Sequence, residues 1–210
     1  MKKREISKIT TIIFDVGGVQ FFYDHMIAAK SIAKLVDRPA KQVYKILSDS
    51  GQRPGFTRFC EKGVTEKEYW NYFLNKLNIN KITSKKLQKI WNKIFTPNKK
   101  ILTLLSKFKK NYKLGIISNM GVGHKKFLFS KGITKSFKTA VFSCDVKIRK
   151  PNPKIYKIAL KKLKSKPNET LFIDDLLRNV AAAKKIKMQG IVYKNHNKFL
   201  KELKKAGVKI

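Results

Sequence analysis

Three carboxylates in this 210-residue chain directly follow short apolar runs, and their placement suggests shared chemistry. Asp15 comes after the run 10–14, and Asp174 and Asp175 come after the run 171–173. Carboxylates that gather at one place repel each other unless a cation lies among them, and an all-oxygen ligand set suits Mg²⁺. A carboxylate held beside a phosphate group can attack phosphorus and form an aspartyl-phosphate. These residues therefore predict a Mg²⁺ site, with Asp15 placed for phosphoryl chemistry.

A hydroxyl, an amide and a lysine complete this candidate phosphate site. Ser118 and Asn119 close a second apolar run, and Lys150 stands just before the segment Pro151–Pro153. Lys150 and a divalent ion together would bind a dianion such as a phosphate group. Ser118 and backbone N–H groups at a helix start would hold the phosphate oxygens that do not react.

Five apolar runs alternate with helical patterns along most of the chain. The runs lack polar alternation, which indicates strands buried on both faces, as in a parallel sheet. This alternation predicts an α/β fold, a Rossmann-like parallel sheet with helices on both faces. Because ligands bind beyond the carboxyl ends of such strands, we expect the residues that follow them to meet at one edge. The strands are predicted at 10–14, 114–118, 140–143, 171–173 and 190–193, and the helices at 100–110, 123–130, 153–164, 176–188 and 198–205.

A mostly helical block, residues 23–97, interrupts this alternation after the first strand. Thr65 and Glu68 form a capping-box pattern before an aromatic-rich helix. The block shows no convincing strand pattern. We therefore predict a small helical cap at 23–97, inserted into a core formed by residues 1–22 and 98–210.

Four short motifs, in order along the chain, resemble those of the haloacid dehalogenase (HAD) superfamily. The motifs are Phe14–Val19, Ile116–Asn119, Lys150–Tyr156 and Phe172–Asp175, with Asn179 following the last. The resemblance runs from about Ile9 to Val192. The acidic pair of the fourth motif and the segment Ser143–Val146 resemble the subgroup that contains sugar-phosphate phosphatases and the N-terminal phosphatase domain of soluble epoxide hydrolase. The helical block matches the small cap of that subgroup in position and size.

The resemblance implies a set of metal ligands. Asp15 would be the nucleophile and a ligand, and the backbone carbonyl of Gly17 would be the second protein ligand. Asp175 would be a third, and Asp174 would be a ligand or a partner of the ligands. Mg²⁺ would be the cofactor.

The resemblance also implies which residues bind the substrate. Ser118, with Asn119 beside it, would bind the phosphoryl group, and Lys150 would neutralise Asp15 and the phosphoryl oxygens. The catalytic set would then be Asp15, Ser118 and Lys150. The implied activity is Mg²⁺-dependent hydrolysis of a small phosphorylated metabolite, with sugar phosphates among the candidates, through an aspartyl-phosphate.

Position 17 departs from the family pattern. Most family phosphatases carry a second Asp there as general acid, whereas this chain has Gly17. General acid catalysis is worth about 10²–10⁴-fold, so the chain is a slow phosphatase, an enzyme for good leaving groups such as anomeric sugar phosphates, or a protein that binds without turnover. The 2-haloacid dehalogenase branch also lacks the second Asp but needs no metal. The pair Asp174 and Asp175 therefore favours phosphoester hydrolysis.

The strongly positive charge does not by itself indicate a nucleic-acid site. The chain has 49 Lys and Arg against 13 Asp and Glu, a net charge of +36, but only six of the basic residues are arginine. Lysine is a hydrated point charge, whereas reading bases and clamping phosphates favours the planar fork of arginine. We expect solvated lysine-rich helix faces that attract small anions, and nucleic-acid binding through non-specific charge only. The sequence does not indicate an oligomeric state.

The hydropathy and the cysteines of the chain indicate where in the cell the protein is located. No apolar run approaches the roughly 18–20 residues that span a bilayer, so no membrane partner is expected. Asp15 interrupts the apolar stretch near the basic segment Met1–Arg4, which argues against a secretory signal. Cys60 and Cys144 show no zinc-type spacing and cannot form a disulfide framework. We predict a cytoplasmic protein in which Cys144 is a small buried apolar residue.

Two groups of side chains allow two interpretations each. His25 and His124 are either substitute acids at the mouth of the site or, as we favour, solvated loop residues. Tyr69, Trp70 and Phe73 either line the substrate pocket or, as we favour, form the core of the cap.

Overall fold

The computed structural model describes residues 8–51, 65–79 and 83–210. Five strands form one parallel sheet in the order β5-β4-β1-β6-β7, and β2 and β3 form a separate pair. The predicted α/β fold is therefore confirmed, with strand bounds within a residue or two of those expected. The strands are β1 (Thr11–Phe14), β2 (Phe21–Tyr23), β3 (Phe95–Pro97), β4 (Lys113–Ser118), β5 (Thr139–Phe142), β6 (Thr170–Asp174) and β7 (Gln189–Val192).

Helices cover both faces of the parallel sheet. Within the described residues they are α1 (His25–Val36), α2 (Ala40–Gly51), α3 (Glu66–Lys76), α4 (Ser84–Trp91), α5 (Lys99–Asn111), α6 (Val122–Ser130), the short α7 (Ser143–Val146), α8 (Pro153–Leu163), α9 (Leu177–Lys185) and α10 (His196–Lys205). Helices α5 and α10 pack on one face of the sheet, and α8 and α9 pack on the other.

The central strand β1 explains how the sheet is built. All its residues are buried, because β4 and β6 flank it on both sides and helices cover both of its faces. A strand of this kind needs apolar side chains in both directions, which is why the run Thr11–Phe14 lacks polar alternation. The carboxyl ends of β1, β4 and β6 consequently lie side by side, and Asp15, Ser118 and Asp174 stand at those ends.

Helices α1 to α4 pack around an apolar cluster of their own, separate from the clusters on the sheet. Trp70 and Phe73 are buried in this cluster, as the favoured interpretation predicted, whereas the side chain of Tyr69 lies outside the described residues. The predicted capping box begins α3: Thr65 N donates to Glu68 Oε2 at 2.6 Å, and Glu68 N donates to Thr65 Oγ1 at 3.3 Å.

The expectation of no strand in residues 23–97 is wrong. Strands β2 and β3 pair antiparallel, with Phe21 opposite Pro97 and Tyr23 opposite Phe95. Each strand has three residues, too few to show a period-two pattern, and the pairing joins segments more than 70 positions apart. This ribbon connects the parallel sheet to the unit formed by α1 to α4. In the described parts of the chain, no helix is both long enough and apolar enough to cross a bilayer.

Candidate active site

Asp15 stands at the end of β1 with one carboxylate oxygen held and the other available. Its Oδ1 accepts from Val16 N at 2.6 Å and lies 2.8 Å from Lys150 Nζ. Its Oδ2 has no hydrogen-bond partner among the described residues. The backbone around it is fixed, because Asp15 N donates to Ile173 O at 2.8 Å and Gln20 Nε2 donates to Asp15 O at 2.9 Å. The side chain is therefore pre-oriented, with one free oxygen.

Lys150 is a buried cation between two carboxylates. Its Nζ lies 2.8 Å from Asp15 Oδ1 and 2.6 Å from Asp174 Oδ2, and its side chain is 1% exposed. Asn119 holds the backbone of this lysine, accepting from Lys150 N at 2.8 Å and donating to Lys150 O at 3.0 Å. Burial alone would lower the pKa of Lys150, but Asp15 and Asp174 raise it above its ordinary value. The lysine is consequently charged at neutral pH.

The two consecutive carboxylates at the end of β6 have different surroundings. Both oxygens of Asp174 accept hydrogen bonds within the chain, from Leu176 N at 2.9 Å and from Asn179 Nδ2 at 2.9 and 3.0 Å, besides the contact with Lys150. Asp175 is half-buried and faces the cavity. Its carboxyl group lies against Gly18, where a Cβ atom would overlap it and where φ is +74°. Only glycine fits there.

The three predicted carboxylates do converge. One oxygen from each of Asp15, Asp174 and Asp175 can be chosen so that all lie within 4.8 Å of one another, a group that can hold a metal ion. Burial raises the pKa of Asp15 to about 7, although Lys150 opposes the effect. Burial, and then the charge of Asp174, raise the pKa of Asp175 to about 6. One lysine does not compensate three carboxylates, so the cluster has the chemistry of a divalent cation site.

A cavity of about 270 Å³ opens above this cluster. Its floor contains Asp15, Gly17, Ser118, Lys150 and Asp175, at the carboxyl ends of three neighbouring strands. Ser118 is buried, and its hydroxyl makes no hydrogen bond with the described residues, so it is available to a ligand. The remaining wall comes from the β2–β3 ribbon, from α1, α4, α6 and α9, and from the loops after β1, β4, β6 and α7. These lining residues are Val16, Tyr23, His25, Trp91, Ile94, Phe95, Asn119, Met120, His124, Arg149, Leu176, Arg178 and Asn179.

The two histidines lie in the cavity wall, so the favoured expectation of solvated loop residues is wrong. His25 begins α1 and stacks on Trp91, with ring centroids 5.1 Å apart. His124 lies in the first turn of α6 and stacks near the same indole at 6.0 Å. Burial lowers the pKa of His25, and burial together with His25 lowers the pKa of His124 to about 3. Both imidazoles are uncharged at neutral pH and do not supply a protonated acid.

The aromatic residues of the wall differ from those considered from the sequence. Trp70 and Phe73 are buried away from the cavity, whereas Tyr23, Trp91 and Phe95 line it. Trp91 follows Leu87 at helical spacing, which is typical of an apolar helix face but does not show that this face ends at a cavity. Cys144 is buried among apolar side chains, as predicted, and Cys60 lies outside the described residues.

Two arginines of the cavity were also missed. Arg149 and Arg178 line it, and they are two of only six arginines in a chain with 43 lysines. Lys150 is the one lysine among the lining residues of the described chain. The scarcity of arginine is the sequence signal that singles out these positions, because arginine and lysine are not interchangeable where planar recognition matters.

The fold and the acidic site are those of a hydrolase family that the sequence also matches. Residues 12–193 match the haloacid dehalogenase-like hydrolase family. The chain belongs to this family, and the resemblance seen in the four motifs is confirmed. A match over 74 residues, at 38% identity, links it to bifunctional epoxide hydrolase 2 of Rattus norvegicus. That match covers 35% of this chain and 13% of the relative, so the chain spans a small part of the relative's length.

Solved structures share the fold. A HAD family enzyme from Bacteroides thetaiotaomicron, crystallised with magnesium and inorganic phosphate, superposes with a TM-score of 0.76 at 22% identity, over 89% of this chain and 94% of that one. An L-2-haloacid dehalogenase from Xanthobacter autotrophicus superposes with a TM-score of 0.65 at 17% identity, over 96% and 85% of the two chains. These similarities establish the fold of the chain. The reaction has to be inferred from the residues of the site.

Proposed function

We propose that this chain is a Mg²⁺-dependent phosphatase that hydrolyses a small phosphorylated metabolite through an aspartyl-phosphate. The observation that carries the proposal is the cluster itself: three carboxylates with oxygens within 4.8 Å, beside a buried lysine and the free Oδ2 of Asp15. A structural neighbour crystallised with magnesium and inorganic phosphate supports this assignment. A cavity of about 270 Å³ suits a small substrate.

Asp15 is the proposed nucleophile. Its Oδ1 is held by Val16 N and Lys150, which directs Oδ2 toward the cavity. As the bond from Oδ2 to phosphorus forms, the bond from phosphorus to the ester oxygen breaks and its electron pair stays on that oxygen, which takes a proton from solvent. Water then attacks the phosphorus of the aspartyl-phosphate, which releases phosphate and restores the carboxylate. Ser118 and Lys150 bind the phosphoryl oxygens throughout, and Asn119 positions Lys150.

The proposed metal ligands are Asp15, Asp175 and the carbonyl of Gly17. Asp174 also lies within reach, but its oxygens already accept from Asn179, the backbone and Lys150, so it acts as a partner of the ligands more than as a ligand. Mg²⁺ in this place would neutralise negative charge on the phosphoryl group. The excess of carboxylates over cations in the cluster is the reason that the residues fit a divalent ion.

The unit formed by α1 to α4 is proposed as the substrate cap. It would comprise residues 23–97, with 1–22 and 98–210 as the catalytic core. The separate apolar clusters of the two parts support this division, and the wall of the cavity opposite Asp15 includes residues of the unit. A cytoplasmic location remains part of the proposal, supported by two cysteines that cannot form a disulfide framework.

A second candidate is 2-haloacid dehalogenation. Gly17 lacks the acidic side chain, and the Xanthobacter dehalogenase shares the fold. That reaction needs no metal ion, so it does not explain why three carboxylates gather beside Lys150. The charge of the cluster therefore favours phosphoester hydrolysis.

A substrate panel separates these functions. Phosphorylated sugars, nucleotides and acyl phosphates are assayed for phosphate release with Mg²⁺ and with EDTA, and 2-haloacids for halide release, with Asp15→Asn as the blank. We expect Mg²⁺-dependent phosphate release that EDTA and Asp15→Asn abolish. Halide release without metal would support the dehalogenase instead. Absence of both activities would contradict the proposal and indicate a phosphate-binding protein.

A further inference from the structure

Aromatic rings form a continuous stack along one wall of the cavity. His25 and His124 each stack on Trp91, with interplanar angles of 24° and 12°. Tyr23 lies next to His25 with its ring tilted by 49°, at a centroid distance of 5.5 Å. The residues come from β2, α1, α4 and α6, and of the four only Tyr23 and His25 are close in sequence. A stack assembled from four elements is a feature of the folded cavity and not of any one helix face.

Tyr23 brings this stack to the reaction centre. A Cβ atom at Gly17 would lie 3.2 Å from Tyr23 Cε1 and 3.6 Å from its Cδ1. The phenol ring therefore occupies the space that an acidic side chain at position 17 would enter. Burial, and then the charges of Asp175, Asp15 and Asp174, raise the pKa of Tyr23, which agrees with a neutral ring close to the carboxylates.

The stack has little charge of its own. Burial lowers the pKa values of His25 and His124, so both rings are neutral at pH 7. Uncharged, nearly parallel rings favour a flat and apolar group, because offset stacking and edge contacts between rings add to the burial of apolar surface. An open-chain polyol would gain less from these ring faces, because it has no flat apolar surface to place against them.

Building on the proposed phosphatase function, we infer that the chain acts on aryl phosphates, and that Tyr23 and Trp91 select the aromatic leaving group. When Asp15 Oδ2 forms its bond to phosphorus, the electron pair of the broken ester bond stays on the phenolic oxygen and is delocalised into the ring. The phenolate takes a proton from solvent after it leaves. A phenol has a pKa of about 10, so its departure depends far less on a general acid than that of an alkyl alcohol. The absent acid and the aromatic wall thus favour the same substrates.

The test separates ring shape from leaving-group ability by measuring binding without turnover. In the Asp15→Asn background with Mg²⁺ present, calorimetry compares phenyl phosphate with cyclohexyl phosphate, which has a six-membered ring that is not flat. We expect phenyl phosphate to bind about 3- to 10-fold more tightly, the worth of one aromatic contact. Trp91→Leu and Tyr23→Ser should each reduce this preference, whereas Phe73→Leu, in the core of the α1 to α4 unit, should retain it.

Fluorescence gives an independent readout. The chain has two tryptophans, so Trp70→Phe leaves Trp91 as the sole indole, and phenyl phosphate should change its emission. Equal affinity for the two esters, or a preference that survives both Trp91→Leu and Tyr23→Ser, overturns the inference while leaving the phosphatase proposal intact. If the unsubstituted protein hydrolyses no ester in the presence of Mg²⁺, the proposed function fails, and the binding preference still decides whether the wall recognises aromatic rings.

Discussion

Replacing Gly17 by Asp tests whether the missing acidic side chain limits the reaction. Gly17 does not adopt a left-handed backbone conformation, so a side chain introduces no backbone strain there. Its Cβ would lie 3.2 Å from Tyr23 Cε1, a few tenths of an ångström closer than ordinary contact. Tyr23 is 45% exposed and can rotate away. Gly18 allows no such change, because its φ is +74° and Asp175 fills the space beside it.

The size of the effect depends on the leaving group. General acid catalysis is worth about 10²–10⁴-fold when an alkoxide must be protonated as it leaves. We expect Gly17→Asp to raise kcat for an alkyl ester such as glycerol phosphate toward the lower end of that range, because the new carboxyl group competes with Tyr23 for space. For phenyl phosphate, kcat should rise little or fall. A phenolate leaves without an acid, and the new side chain displaces Tyr23 from the phenyl ring of the substrate.

The assay measures kcat and KM for glycerol phosphate and phenyl phosphate in four proteins. These are the unsubstituted protein, Gly17→Asp, the size-matched control Gly17→Ala, and Gly17→Asp combined with Tyr23→Ser. The combined variant removes the crowding and should show the larger gain on the alkyl ester. If neither Asp variant is faster than Gly17→Ala on glycerol phosphate, while Mg²⁺ still binds by calorimetry, the missing acid does not limit this enzyme.

Three further predictions concern the buried cluster and the sheet. Lys150→Met leaves the carboxylates of Asp15 and Asp174 without their cation. It should lower the free energy of unfolding by about 3–5 kcal/mol in metal-free urea titrations. An unchanged unfolding midpoint would show that the lysine does not stabilise the fold. Mg²⁺ at 100 times its dissociation constant should stabilise the protein by about 2.7 kcal/mol, and Asp175→Asn should weaken this response in thermal unfolding. Gly190→Ala would place a Cβ 2.6 Å from Val180 Cγ1, and overpacking of this kind costs about 1–3 kcal/mol, which circular dichroism during urea unfolding can measure.

The parallel sheet and the floor of the site were predictable because they depend on short-range patterns. Buried strands such as β1 and β6 have unbroken apolar sequences, and the carboxyl ends of parallel strands must share an edge. Asp15 directly follows β1 and Asp174 is the last residue of β6, so strand position alone brings them together. The same reasoning placed Ser118 beside them.

The wall of the cavity was not predictable, because it depends on tertiary contacts between distant segments. Tyr23, Trp91 and His124 are separated by 68 and 33 positions, and no local pattern records that their rings meet. Helical periodicity assigns Trp91 to an apolar face, but both a core and a cavity wall satisfy that assignment. The paired strands β2 and β3, which bring Tyr23 to Gly17, are too short to show a strand pattern.

The net charge of the protein and the charge of its site act on different steps. With +36 overall, the molecule attracts anions over a range set by salt screening, and this attraction raises the rate of encounter for any phosphate ester. The cations that line the cavity, Lys150, Arg149 and Arg178, meet the same phosphate group in every ester, and the aromatic wall is uncharged at neutral pH. Selection among esters there depends on shape and leaving group. Added salt should therefore lower kcat/KM for phenyl and cyclohexyl phosphate by the same factor. The ratio between the two esters should stay constant, because the contacts of Tyr23 and Trp91 with the leaving group are not ionic.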